Sequence, residues 1–498
     1  MKSDTSGKKK PSHMKIFKFG GASVKDAAGV QNLLEVLHCN SNGPKLMVVS
    51  AMGKTTNALE VVIADYLASA SPTPRPARIS REAVLKQYLT AASPQALRIM
   101  KNLEVPVPVE RILTEDTPSA KSTTDAESFL KAMAFKEGNE PYLQSLEIVK
   151  AYHHGLIQDL FEDPTIVFDK VNNHFQQLEN FLRHNKSVKY DFVYDQVIGY
   201  GELLSTCIIS EYLNQQGIAN QWLDARNLIK TDSTFRDAEV QWDETCDNIV
   251  EAVDSQSMVV TQGFIGSDAN SFTTTLGREG SDYTAGIFAY CLEAESVTIW
   301  KDVPGVLNAD PRVFDKHELL HQISYEEAIE LAFYGASVIH PKTLQPLQRK
   351  NIPLYVRSFL TPTKEGTAVS KGQPILPEIP CFIVKRDEVL ISLSSLDFSF
   401  IVEENISEIF ALLHKYQMKV DLIQNSAISF SVCVENKFNT LEKLITHLRA
   451  RFKVQFTTGV SLYTIRHFDR AAIASIEKGR EILLKQEMRE TVQIVTLP

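Results

Sequence analysis

KFGGASV, Lys18 to Val24, places a lysine at the end of a short apolar strand and two glycines in the turn that leads into a helix. Without β-carbons, Gly20 and Gly21 let backbone N–H groups approach a phosphate, and the helix N-terminus adds partial positive charge. Lys18 supplies the full charge that a transferring phosphoryl group needs nearby. Paired glycines at such a junction can equally serve packing alone, so the surroundings decide. Lys15 to Gly20 reads as the first strand, Asp26 to Leu37 as a helix and PKLMVVS, Pro44 to Ser50, as a second buried strand. The alternation continues through VIADYL, SMVVTQGF and SVTIW, and predicts an α/β sheet layered by helices.

Three further stretches are candidates for ligand contact. VSAMGKTTN, Val49 to Asn57, ends a strand in a small-residue turn, but Val48 stands where a Walker A loop needs its first glycine. Ser50 and Thr56 are therefore read as hydroxyl contacts to a substrate, with a generic turn as the alternative. TTTLGREGSDYTAG, Thr273 to Gly286, gathers Thr275, Gly277, Gly280 and Ser281 in a loop that opens a helix, the composition of an anion nest, with an ordinary strand end at the three threonines as the alternative. WKDVPGVLNADPR, Trp300 to Arg312, puts Lys301 and Asp302 at the carboxyl end of a strand, where layered α/β sheets bind ligands. Arg312 offers a fixed cation, whereas Asp310-Pro311 reads as turn chemistry.

The 498 residues, 44% hydrophobic, suffice for two or three domains. A net charge of −9 leaves no basic footprint for a nucleic acid, and no apolar run approaches a membrane span. The six cysteines are scattered without zinc-site spacing, so reduced, mostly buried thiols in a cytoplasmic protein are expected and no metal cluster is. Residues 1–13 read as a polar disordered tail, and residues 14–365 as the catalytic domain. Within it, a proline-bearing helical insertion spans about 69–160. Residues 366–385 read as a linker. Beyond it, 386–458 form one βαββαβ unit, with Asn405 capping its first helix and Glu408 at the capping-box position. Strand VSLYTIRHF, helix AAIASIEKGREILLKQ and strand VQIVTLP, over 459–498, supply about half of a second unit.

KFGGASV, VSAMGKTTN, GYGELLST, TQGFIG, TTTLGREGSDYTAG, DVPGVLNADPR and FYGASVIHP occur in the order found in aspartokinases of the amino-acid kinase family, which the chain resembles over about Lys15 to Phe359. The C-terminal unit resembles ACT regulatory domains. This resemblance implies a three-layer αβα sandwich followed by an α+β ACT-like region, and transfer of the ATP γ-phosphate to the β-carboxylate of L-aspartate with Mg²⁺. It implies Lys18 and Asp282 as catalytic residues. The nucleotide site would comprise Lys18, Gly20, Gly21, Thr275, Gly277, Gly280, Ser281, Lys301, Asp302 and Arg312. The aspartate site would use Ser50, Thr56 and Glu202, with Arg236 of FRDAEV forking onto the α-carboxylate one position before the family's usual arginine. Where many relatives carry a lysine in the FYGASVIHP region, Ser337 stands here, and Lys301 replaces a threonine, which suggests that a phosphate-facing cation has changed loops. Asp421 and Ser426 match positions used by lysine-sensing relatives, which leaves two readings, a lysine or threonine effector site or side chains that only shape a dimer interface, and pairing of ACT sheets implies a homodimer. An aspartate carboxylate is ionised at neutral pH, so no general base is required. The competing readings are a kinase for glutamate or N-acetylglutamate, and a catalytically silent amino-acid sensor.

Overall fold

A computed structural model of the chain describes residues 14–43, 45–70, 84, 88, 140–254, 256–336, 339–397 and 399–497. The expected tail, and the insertion between 71 and 139 apart from Val84 and Tyr88, lie outside the described residues. In chain order the elements are β1 (Lys15–Phe19), α1 (Ala27–Cys39), β2 (Lys45–Val49), α2 (Thr55–Ala70), α3 (Pro141–Leu160), α4 (Thr165–His184), α5 (Tyr190–Ile198) and α6 (Tyr200–Gln215). There follow β3 (Asn220–Leu223), α7 (Ala225–Leu228), α8 (Trp242–Ala252), β4 (Met258–Gln262), β5 (Ile265–Ser267), β6 (Thr273–Thr275), α9 (Gly280–Leu292) and β7 (Ser296–Lys301). Next come β8 (Gln322–Ser324), α10 (Tyr325–Tyr334), α11 (Pro341–Lys350), β9 (Leu354–Ser358), β10 (Thr367–Ser370), β11 (Cys381–Ser395) and α12 (Glu403–Lys415). The chain closes with β12 (Lys419–Asn425), β13 (Ser429–Glu435), α13 (Leu441–Arg449), β14 (Phe452–Arg466), α14 (Arg470–Glu477), β15 (Ile482–Glu487) and β16 (Thr491–Thr496).

Two compact units result, one formed by residues up to Gly305 with Lys342–Lys371, the other by Val306–Pro341 with Gly372 onward. In the first, β3, β4, β2, β1, β7 and β9 pair in that order as parallel strands, and β10 adds antiparallel to β9. Strand alternation fixes which side each β1 residue faces. Phe17 and Phe19 enter the core shared with α1, α2 and the helices after them, where Trp300 stacks on Phe19. Ile16 and Lys18 turn to the opposite face, on which α9 packs. Asp26 starts α1 by accepting the Gly29 N–H at 2.8 Å. In α4, Val167, Val171, Phe175, Leu178 and Leu182 recur at helical spacing and form the buried stripe.

VIADYL is not a strand: it lies inside α2, where Val62, Ile63 and Tyr66 enter the helical layer. A short apolar run carries no period long enough to separate strand from buried helix. Two of the six cysteines also depart from the free-thiol expectation, because α8 and α9 pack together and Cys246 and Cys291 form a disulfide. Cys207, Cys381 and Cys433 are buried free thiols.

The second unit is built on an antiparallel sheet in the order β12-β13-β11-β14-β16-β15. Residues Val389–Ser395 of β11, with α12, β12, β13, α13 and the start of β14, make the expected βαββαβ unit. The sheet then continues without a break, because β11 and β14 each run for 15 residues and serve both halves. Cys381–Lys385, expected in the linker, pair with Leu462–Arg466 and occupy the edge that the incomplete second half would otherwise leave open. Thr367–Ser370 of the same stretch form β10 of the first unit. The predicted last helix is also shorter, since Gly479 adopts φ +74 beyond α14 and Ile482 begins β15. At α12 the cap is Val402, whose N–H donates to Asn405 Oδ1 at 3.1 Å, while Glu408 pairs with Arg451 at 2.7 Å. Val306–Pro341 packs in this unit: Phe314 meets Phe382 at 5.4 Å, and the Arg466 guanidinium lies 2.5 Å from Glu327 of α10.

Candidate functional site

Three strand ends and two helix starts of the first unit converge on Lys18. Its Nζ lies 2.6 Å from Asp282 Oδ1 in the first turn of α9, and Lys301 Nζ at the end of β7 reaches the other oxygen at 3.5 Å. Asp282 is fully buried, which pushes its carboxyl up, but the two ammonium groups outweigh burial and hold it below the ordinary carboxylate range. A carboxylate so held fixes the position of Lys18 while leaving a net positive site.

Gly21 is required by close approach, because a Cβ there would overlap the Ala51 carbonyl oxygen, and the Gly53 N–H donates to the Gly21 carbonyl at 3.0 Å. Gly20 is different, its added Cβ meeting nothing nearer than Lys18 Nζ at 3.7 Å. Gly277 adopts φ +79 against Asp237, and Gly280 opens α9 with Ser281 behind it.

Glu202 projects from the first turn of α6 with 3% exposure, and its Oε1 accepts the Ala51 N–H at 3.3 Å. Burial pushes its carboxyl up to about 8, while that N–H and the Lys18 charge act the other way. Such a group is poised to ionise when a cation arrives. Ser50 ties the strand ends together, its N–H donating to Phe19 O at 3.1 Å and its carbonyl accepting from Ser205 at 2.8 Å. Thr56 is half-buried in the first turn of α2, beside the fully buried Thr55.

Arg236 adopts φ 74 and lays its guanidinium over Tyr194 at 4.5 Å and Tyr190 at 5.2 Å, with Asp191 at 3.5 Å. Its side chain is 45% exposed, so it can still fork onto a carboxylate. Glu60 of α2 belongs to the same patch: burial raises its carboxyl, and Arg236 and Tyr194 oppose the rise.

Some expected residues do other things. The Thr275 hydroxyl is not free for a phosphate, because it donates to Asp195 Oδ1 at 2.8 Å from a fully buried position. Asp302 is exposed just beyond β7. Arg312 belongs to the second unit, where it pairs with Asp310 at 2.7 Å and is 83% exposed; the Asp-Pro turn exists to hold it. Ser337 lies outside the described residues. In the second unit the Asp421 carboxylate is buried against Lys385 at 2.6 Å, and Ser426 closes the turn between β12 and β13 by bonding Ser429. Asp195 was missed, although a lone acid in VYDQVIGYGE, seven residues before Glu202 in a run of apolar and aromatic residues, was a signal for a buried carboxylate. No described helix is long and apolar enough to cross a membrane.

Comparison with known proteins places the fold and the family. The chain is 29% identical over 363 residues to lysine-sensitive aspartokinase 3 of Escherichia coli, covering 70% of this chain and 80% of that one. Its fold is similar to that of E. coli aspartokinase III in complex with lysine and aspartate, with a TM-score of 0.70 at 24% identity, over 97% of this chain and 96% of that one. The aspartate and ADP complex of the same enzyme gives 0.69 at 23% identity with the same coverage. Residues 13–358, which carry Lys18, Glu202, Asp282 and Lys301, match the profile of the Amino acid kinase family, and the chain belongs to that family.

Proposed function

We propose that the protein is an aspartate kinase, which transfers the γ-phosphoryl group of ATP to the β-carboxylate of L-aspartate and yields 4-phospho-L-aspartate. The observation that carries this reading is the pairing of Lys18 with buried Asp282 beside a second buried acid, Glu202, whose Oε1 is held by the Ala51 N–H. A cation and an acid in one crevice suit a substrate that carries both an anion to be joined to phosphate and an ammonium to be gripped. The reading draws further support from the similarity to an enzyme whose solved complexes hold aspartate and ADP.

In this mechanism Lys18 and Lys301 face the triphosphate, Asp282 holds Lys18 in place, and the N–H groups around Gly20, Gly21 and Gly280 cradle oxygens at the start of α9. Glu202 ionises against the substrate ammonium, and Arg236 receives the α-carboxylate. That leaves the β-carboxylate as the nucleophile, aligned rather than deprotonated. Mg²⁺ fits as an ion carried in by the triphosphate: Asp282 is taken by two lysines, no His/Cys/Asp/Glu cluster occurs among the described residues, and Mg²⁺ commonly keeps phosphate and water ligands. When bound it neutralises charge on the β- and γ-phosphates.

A hydroxamate assay that traps the acyl phosphate tests the reading. Turnover with MgATP and aspartate is expected, with little for N-acetylglutamate, whose blocked amine leaves Glu202 without a partner, and little for glutamate, whose extra methylene takes its side-chain carboxylate out of alignment. Turnover of N-acetylglutamate alone, or of no acid, overturns it. We further infer lysine feedback through the second unit, sensed near Asp421 and Ser426, because the relative at 29% identity is named for lysine sensitivity. Inhibition by millimolar lysine but not threonine is the expected result. Homodimerisation is inferred through the apolar residues Leu396, Phe400 and Val402, exposed between β11 and α12, and is checked by light scattering.

A further inference from the structure

Asp195, in the second half of α5, has no exposed surface. Its carboxylate touches neither Lys18 nor any expected ligand residue's charged end. Instead Oδ1 accepts the Thr275 hydroxyl at 2.8 Å, and Oδ2 accepts two backbone donors, the Thr275 N–H at 2.8 Å and the Arg236 N–H at 2.9 Å. Three donors from two loops thus end on one buried acid. An ionised carboxylate accepts at both ends; an amide could keep the two backbone N–H groups on its oxygen only by obliging the Thr275 hydroxyl to reverse and accept, with the charge lost from all three bonds.

The two loops are the ones that matter to the proposed reaction. Thr275 ends β6 and leads through Gly277 into the turn that opens α9 at Asp282. Arg236 stands in the left-handed region at φ 74, a conformation that a non-glycine residue keeps only when its surroundings hold it. Other bonds join the loops on either side, the Ala238 N–H to Thr275 O at 2.9 Å and Thr231 to Thr274 at 2.7 Å. Asp195 is what grips residue 236 itself.

We propose that Asp195 is a positioning residue that sets the reach of Arg236 toward the substrate carboxylate and ties that reach to the loop preceding Asp282. The proposal rests on the reading of Arg236 as the substrate arginine. Burial pushes the Asp195 carboxyl up to about 6, against the pull of the three donors and of the Arg236 charge.

The experiment is a kinetic double-mutant cycle on the full chain with aspartate and MgATP, using Asp195→Asn, Arg236→Ala and the pair. Asp195→Asn is expected to raise KM for aspartate roughly tenfold, the change that follows loss of a charge-assisted bond, while KM for MgATP stays within about twofold. In the Arg236→Ala background it should add nothing further. Additive effects, or equal shifts in both KM values, overturn the positioning role while leaving Arg236 in the substrate site. An unchanged aspartate KM in Arg236→Ala overturns the substrate reading of that residue and the proposal with it. Should Asp195→Asn not fold, Thr275→Val withdraws the hydroxyl donor alone, and a smaller rise confined to the aspartate KM is expected; no rise overturns the proposal.

Discussion

Replacing Lys18 by methionine separates what this side chain does for the fold from what it does for phosphoryl transfer. Asp282 is fully buried and, among the described residues, keeps the Lys301 ammonium at 3.5 Å once the 2.6 Å contact is gone. Removing one partner of a buried ion pair costs about 3–5 kcal/mol. The surviving lysine places this case at the lower end, about 3 kcal/mol, or roughly a hundredfold in the folding constant. Turnover should fall by a separate factor on the order of 10²–10³, the usual loss when one charge-stabilising donor is withdrawn from a transition state. In the parent, Asp282 is held below its ordinary value, so its stabilisation is present above that value and disappears as pH falls through the lower folded one. In Lys18→Met burial prevails, so the stability deficit is largest at neutral pH and shrinks on acidification as Asp282 takes up a proton. Adding Asp282→Asn removes the orphaned charge and should restore most of the stability but none of the turnover. Urea unfolding at two pH values, beside the hydroxamate assay, reads both effects. A Lys18→Met protein within about 1 kcal/mol of the parent at neutral pH, or no recovery in the double variant, refutes the reasoning.

Other perturbations test separate parts of the site. Gly21→Ala drives a methyl into the Ala51 carbonyl and should destabilise by about 1–3 kcal/mol, whereas Gly20→Ala, whose Cβ would make an ordinary van der Waals contact with Lys18 Nζ at 3.7 Å, should melt like the parent. Because the Glu202 carboxyl is pushed up to about 8, gripping the substrate ammonium expels a proton; aspartate KM should fall as pH rises toward that value, at most about tenfold per unit. Glu202→Gln should abolish this slope. In the empty protein the same raised acid stabilises below its ordinary value and loses that contribution as pH climbs through about 8. Breaking the Cys246–Cys291 disulfide with Cys291→Ser reopens a loop of 45 residues and should cost up to about 4 kcal/mol by chain entropy, read as a lower denaturation midpoint that reductant no longer shifts.

The crevice around Lys18 was legible because its requirements are local. A lysine ending an apolar strand, glycines after it, and a threonine- and glycine-rich loop opening a helix are each dictated within a few residues, so Lys18, Gly21 and Gly280 could be placed from order alone. Lys301 likewise follows from the end of SVTIW. What could not be read is who faces whom. Asp195, Arg236 and Thr275 are far apart in the chain and meet only because α5 packs against β6, so the threonine that sequence assigned to a phosphate spends its hydroxyl on a buried acid. The pairing of Cys246 with Cys291 is likewise set by how α8 lies on α9. VIADYL was ambiguous because hydrophobicity marks burial, and burial does not distinguish a strand from a helix that is covered on all sides.

The amino-acid order by itself determined the layered α/β fold and the βαββαβ unit, since strand alternation, helical spacing and glycine turns act over short range. Tertiary structure alone decided that Cys381–Lys385 complete the second half of the C-terminal sheet, that Val306–Pro341 joins that unit, and that one buried carboxylate holds two loops. Those outcomes depend on which unpaired edge or uncompensated buried charge lies nearest in space, a quantity that no window along the chain contains.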